Sequence, residues 1–90
     1  MKFIVKWNIP CATRTTAEQR FVATGGQPPA GVQLIGRWHG ASSWGVAIAE
    51  TSDAKAIYAW AQQWNDVLEL EVTPCLDDAE GGEVIAATKR

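Results

Sequence analysis

Hydrophobic and polar residues alternate with period two at four places in this chain. Phe3, Val5, Trp7 and Ile9 alternate with Lys2, Lys6 and Asn8, the signature of a half-buried strand that Pro10 ends. Val32, Leu34, Gly36 and Trp38 alternate with Gln33, Ile35, Arg37 and His39, giving a second strand. After the hairpin-length loop Gly40-Ala41-Ser42-Ser43, residues Trp44 to Thr51 read as a third. Both of its rows are apolar: Trp44, Val46 and Ile48 on one face, the small Gly45, Ala47 and Ala49 on the other. Leu68, Leu70 and Val72 alternate with Glu69, Glu71 and Thr73 in a fourth strand that is expected to stop at Pro74.

The period changes to that of a helix in two places between strands. Thr13 or Thr15 can cap a helix running to Thr24, with Phe21 and Val22 as apolar anchors, until Gly25-Gly26 stops it. Ser52 or Asp53 caps a second helix, Ala54 to Trp64, whose Ile57, Trp60, Ala61 and Trp64 share one face. Asp77-Asp78 can cap a short C-terminal helix through Val84 and Ile85, which Gly81-Gly82 weakens.

The order β-α-β-β-α-β predicts an α+β domain over residues 1–90, a ferredoxin-like four-stranded antiparallel sheet with both helices on one face. The expected spatial order is fourth, first, third, second strand. Phe3, Val5, Trp7, Val32, Leu34, Trp38, Leu68, Leu70 and Val72 belong under the helices. Lys2, Ile4, Lys6, Asn8, Gln33, Ile35, Arg37, His39, Glu69, Glu71, Thr73 and Cys75 then fall on the uncovered face. That face is mixed, with Ile4 and Ile35 central and Lys6 opposite Glu69 or Glu71. Such a face predicts a homodimer packed sheet on sheet.

Composition narrows the function classes. A net charge of −2 argues against a nucleic-acid surface. No apolar run approaches the roughly 20 residues of a membrane span. The start Met1 to Lys6 has no long apolar core and does not read as a signal peptide, so a cytoplasmic protein is expected. Cys11 and Cys75 fall at opposite ends of neighbouring strands and are not expected to pair. One His and two distant Cys give no metal-ligand spacing.

Five tryptophans in 90 residues are a several-fold enrichment. Such rings build a rigid core, an aromatic-walled pocket or an oligomer interface. Trp60 and Trp64, one turn apart, either pack on the sheet or line a pocket. Tyr58 projects from another side of that helix, toward a partner subunit. His39 is the chain's one histidine, and with Arg37 two residues earlier it forms a basic pair suited to an anionic or phenolate group. Glu69 and Glu71 read as ion-pair partners of Lys6, or as residues of a solvated edge, rather than as paired acid–base carboxylates.

Several fixed-spacing positions together carry a resemblance. Trp7 with Pro10, Pro28-Pro29-x-Gly31, Gly36-Arg37-Trp38-His39, Trp60-x-x-x-Trp64 with Asp66, and Glu71-Val72-Thr73-Pro74-x-Leu76-Asp77-Asp78 resemble the domain-of-unknown-function family 3303. That family is similar to the dimeric α+β barrel proteins, whose ferredoxin-like subunits pack their sheets into a shared barrel. The superfamily includes cofactor-free oxygenases, haem-degrading enzymes, isomerases and ligand sensors. The resemblance implies a site built from Asn8, Lys6 and a second-helix Trp, with Asn8 binding a substrate oxygen. The haem-degrading pattern uses a His beyond the second helix. This chain has none after His39, so no cofactor is expected.

The sequence therefore predicts a homodimer that binds a small molecule between sheet and helices or between two sheets. Its ligand contacts would be Lys6, Arg37, His39, Trp60 and Trp64. A cofactor-free oxygenase or isomerase acting on an aromatic or quinol-like substrate is the alternative, with Asn8 and His39 as catalytic candidates. A structural or interaction module without ligand is the third possibility. No pattern in the chain forces a reaction.

Overall fold

Residues 1–89 are described by a computed structural model. The alternating runs form four antiparallel strands in one open sheet: β1 (Lys2–Asn8), β2 (Gln33–Gly40), β3 (Trp44–Glu50) and β4 (Glu69–Cys75). They lie side by side as β2-β3-β1-β4. Helices α1 (Arg14–Thr24) and α2 (Ala54–Trp64) face one side of the sheet, and α3 (Asp78–Thr88) follows β4. A single 3-10 turn, Cys11–Thr13, leads into α1.

α2 has the bounds that its spacing predicts. Asp53 caps it by accepting from the Lys55 amide at 2.9 Å. Its apolar stripe buries Ile57 and Trp60 against Phe3, Val5, Val32, Ala47 and Ala49, the solid part of the core. Burying each of the larger side chains, such as Ile57, Phe3 or Val5, stabilises the fold by about 1.5–3 kcal/mol. The small row of β3, Gly45-Ala47-Ala49, faces the helices and is buried throughout. Its bulky row, Trp44-Val46-Ile48, looks outward, which resolves the ambiguity of that strand.

β2 departs from the predicted alternation. Leu34 stands opposite Ala49, but Gly36 stands opposite Ile48, so Ile35 is the extra residue of a bulge. One inserted residue moves every later side chain to the other face. Gly36 and Trp38 therefore point outward, and Trp38 is 61% exposed rather than under the helices. Arg37 and His39 point inward, toward the helices, and not to the open face.

Three further expectations change. β4 runs through Pro74 to Cys75, because β4 is an edge strand where a missing amide donor costs little. Val22 is 84% exposed and anchors nothing; Ala17 is the one buried residue of α1. Lys6 stands opposite Glu71 in register, yet the ion pairs among the described residues are Lys2–Glu50 and Arg20–Asp66.

α3 continues through Gly81-Gly82, started by a capping box in which Asp77 accepts from the Glu80 amide and Glu80 reaches back to Asp77. It buries no residue, and Val84 and Ile85 are exposed. Both cysteines are free. No helix among the described residues is long and apolar enough to cross a membrane.

Candidate functional site: a cavity between sheet and helices

The two covering helices are joined by polar bridges at discrete points. Near the start of α1, the Thr13 hydroxyl donates to the Val67 carbonyl at 2.7 Å. Further along, Arg20 donates to both Asp66 carboxylate oxygens, at 2.9 and 2.8 Å, and to the Gln63 carbonyl at 2.9 Å. The same guanidinium lies over the Trp64 ring, 5.5 Å from its centroid. It also holds the Asp66 carboxyl below the ordinary carboxylate range.

Between these bridges and the sheet is a cavity of about 440 Å³. This lies within the 300–1,000 Å³ usual for small-molecule sites. Its floor is Val5, Trp7, Leu70 and Val72 from the central and edge strands. One wall is α2, through Ile57, Trp60, Ala61 and Trp64; the other is α1, through Ala17, Phe21 and Val22. The side chains with polar groups other than indoles are Glu18, Arg37, His39 and Ser43.

The β2 bulge supplies the polar end. Arg37 is half-buried and reaches the C-terminus of α1, donating to the Gly26 carbonyl at 2.7 Å and the Gly25 carbonyl at 2.9 Å. Its guanidinium carbon lies 4.9 Å from the Phe21 ring centroid. This seat requires glycine. Gly25 and Gly26 have φ of +70° and +59°, and a Cβ on Gly26 would lie 2.9 Å from both Arg37 and Phe21. Burial pushes the Arg37 guanidinium below its usual pKa. His39 stands beside it, edge-on to Trp7 at 5.8 Å and to Phe21 at 5.0 Å.

Gly45 admits Trp7 to the floor. It is the cross-strand partner of Trp7, and a Cβ there would collide with the Trp7 ring and come within 2.9 Å of the Trp38 carbonyl. The aromatic floor therefore depends on a glycine in the neighbouring strand.

The predicted site residues divide between two faces. Arg37, His39, Trp60 and Trp64 all line the cavity. Lys6 and Asn8 do not: both are exposed on the other side of the sheet, Lys6 opposite Val46 and Glu71, Asn8 opposite Trp44 and Glu69. The sheet itself separates Asn8 from Trp60. Trp7, Phe21 and Glu18 also line the cavity. Trp7 was readable as core, whereas Phe21 and Glu18 enter only because α1 lies across the floor. No group of three or more His, Cys, Asp or Glu among the described residues could hold a metal ion.

The model of the domain of unknown function DUF3303 matches residues 1–89. The chain belongs to that family. No curated protein and no solved structure matches it.

Proposed function

We propose that this DUF3303 protein is a small-molecule-binding homodimer whose ligand, a mainly apolar molecule with an aromatic ring, occupies the cavity between sheet and helices. The observation that carries this reading is the cavity's construction. Trp7, Phe21, Trp60 and Trp64 line one space of about 440 Å³ whose polar side chains are few, Arg37 and His39 among them. A few convergent polar groups on an apolar wall are the usual build of a ligand site. The alternative, a cofactor-free oxygenase or isomerase, has less support: Asn8 stands across the sheet, which leaves His39 alone of the catalytic candidates at the cavity.

The outer face supports the dimer. Ile4, Trp38 and Trp44 are exposed there, beside half-buried Val46 and Ile48. Around them stand Lys2, Lys6, Glu50, Glu69 and Glu71. A face that carries an apolar centre and both signs of charge is complementary to itself across a two-fold axis. In α3, Val84, Ile85 and Thr88 add a second exposed stripe at helical spacing.

Two measurements test the proposal. Light scattering at several concentrations should give a mass near twice 9.8 kDa, and a monomer at all concentrations would remove the dimer. Calorimetric titration with naphthalene-sized aromatic probes should give saturable one-to-one binding per chain; absence of binding for every probe would remove the ligand site.

A further inference from the structure

We infer that the ligand carries an anionic group, a carboxylate or an equivalent oxyanion, which is received by Arg37 at the His39 end of the cavity. The inference rests on the cavity being a ligand site and names the chemistry of what it holds.

Arg37 is a cation brought into an apolar enclosure without a counter-charge. Both ion pairs among the described residues lie elsewhere. Glu18 lines the same cavity from α1, yet it makes no ion pair with Arg37. The two carbonyls of Gly25 and Gly26 orient the guanidinium and engage only two of its N–H groups. A guanidinium has five such donors in a fixed fork, so three remain for another acceptor. The carbonyls at a helix C-terminus carry partial negative charge and hold the cation in place, but they do not neutralise it. The Phe21 ring at 4.9 Å fixes the plane of the group further.

His39 is the second element. It is exposed at the cavity's rim, its ring edge-on to Trp7 and Phe21, and its side chain makes no hydrogen bond to any described residue. Its nitrogens are free to meet a ligand oxygen beside Arg37. The bulge at Ile35 turns both side chains inward together. Without it the pair would face the open side of the sheet, away from the rings. A bulge that re-aims a cation and an imidazole into an aromatic cavity matches an amphipathic ligand: ring among Trp7, Phe21, Trp60 and Trp64, acid at the β2 end.

The test compares 2-naphthoate with 2-naphthylmethanol, the same ring system with and without the charge, by calorimetric titration at pH 7. The unaltered 90-residue chain should bind the carboxylate about tenfold more tightly, the scale of a hydrogen bond to a charged group. Arg37→Gln should bring the affinities of the two probes to within about twofold of each other. Arg37→Lys should retain part of the preference. Equal affinities on the unaltered protein overturn the anion inference and leave the cavity reading standing, as does a preference that survives in Arg37→Gln. Failure of both probes to bind overturns the cavity reading as well. The comparison on the unaltered protein decides the inference even where Arg37→Gln does not fold.

Discussion

The two helices that cover the sheet have the same length and opposite characters. α2 puts Ile57 and Trp60 into the sheet and closes the core over Phe3, Val5, Ala47 and Ala49. α1 buries only Ala17, leaves Val22 to solvent, and is held by Thr13 at one end and by Arg20 and Arg37 farther on. Their sequences account for the difference. α2 (AKAIYAWAQQW) carries large apolar side chains at i, i+3 and i+7, whereas α1 (RTTAEQRFVAT) offers one alanine and one phenylalanine on its inner face. A helix that cannot fill the volume beneath it leaves a cavity, and polar bridges fix its position instead of packing. The closely packed core lies under α2, and the unfilled space lies between α2 and α1.

The largest expected effect separates the two halves outright. Ile57→Ala should cost about 2–5 kcal/mol of unfolding free energy in denaturant titration, the usual range for truncating a packed aliphatic side chain. Phe21→Ala removes a half-buried ring from the cavity wall and should cost only about 1–2 kcal/mol, while weakening aromatic-probe binding. Equal costs would mean that the space under α1 is as well packed as the core.

A pair of enlargements sharpens the same contrast. Ala49 and Ala17 are both buried, Ala49 in the solid core and Ala17 on the cavity wall. Ala49→Leu overpacks and should destabilise by about 1–3 kcal/mol. Ala17→Leu fills existing space and should be neutral or stabilising by up to about 1 kcal/mol, with probe affinity lowered at least tenfold. Gly45→Ala should resemble Ala49→Leu in stability, and should also disturb Trp7 emission because the added methyl displaces that ring from the floor.

The smallest effect concerns the bridge between the helices. Arg20 holds the folded-state pKa of Asp66 below its unfolded value. The pair therefore contributes fully above the unfolded carboxylate value, about 3.9, and its contribution is lost as pH falls through the lower folded value. The pair is exposed, so Asp66→Asn should cost little at pH 7 and the difference from the unaltered protein should vanish in acid. Thermal midpoints of both proteins from pH 7 to pH 2 check this. A difference that grows on acidification would contradict it.

How far these features could be read from the chain depended on whether local pattern or tertiary detail decides them. Period-two alternation and the Asp53 cap specify β1 and α2 locally, so both could be read directly, whereas β3 could be read as a strand but not for which of its two apolar rows faces the helices. The bulge could not be placed by alternation, because Ile35, Gly36 and Trp38 fit either face of a strand. A glycine within a strand pattern is a bulge signal, and weighing Gly36 that way would have turned Arg37 and His39 inward. The cavity depends on what α1 fails to fill, a property of three elements together. Asn8 shows the converse: its place on the outer face follows from strict alternation with Trp7. The likeness to oxygenase layouts joins it to a second-helix Trp, which lies on the other side of the sheet.

The most direct test uses the tryptophans as reporters of both faces. Their indole N–H signals, assigned in a two-dimensional NMR spectrum, would be followed while 2-naphthoate is titrated in. Saturable shifts are expected at Trp7, Trp60 and Trp64 and at the amides of α1, with Trp38 on the outer face unmoved. Shifts centred on Trp38, or no saturable shift at the three cavity tryptophans, would contradict a binding site between sheet and helices.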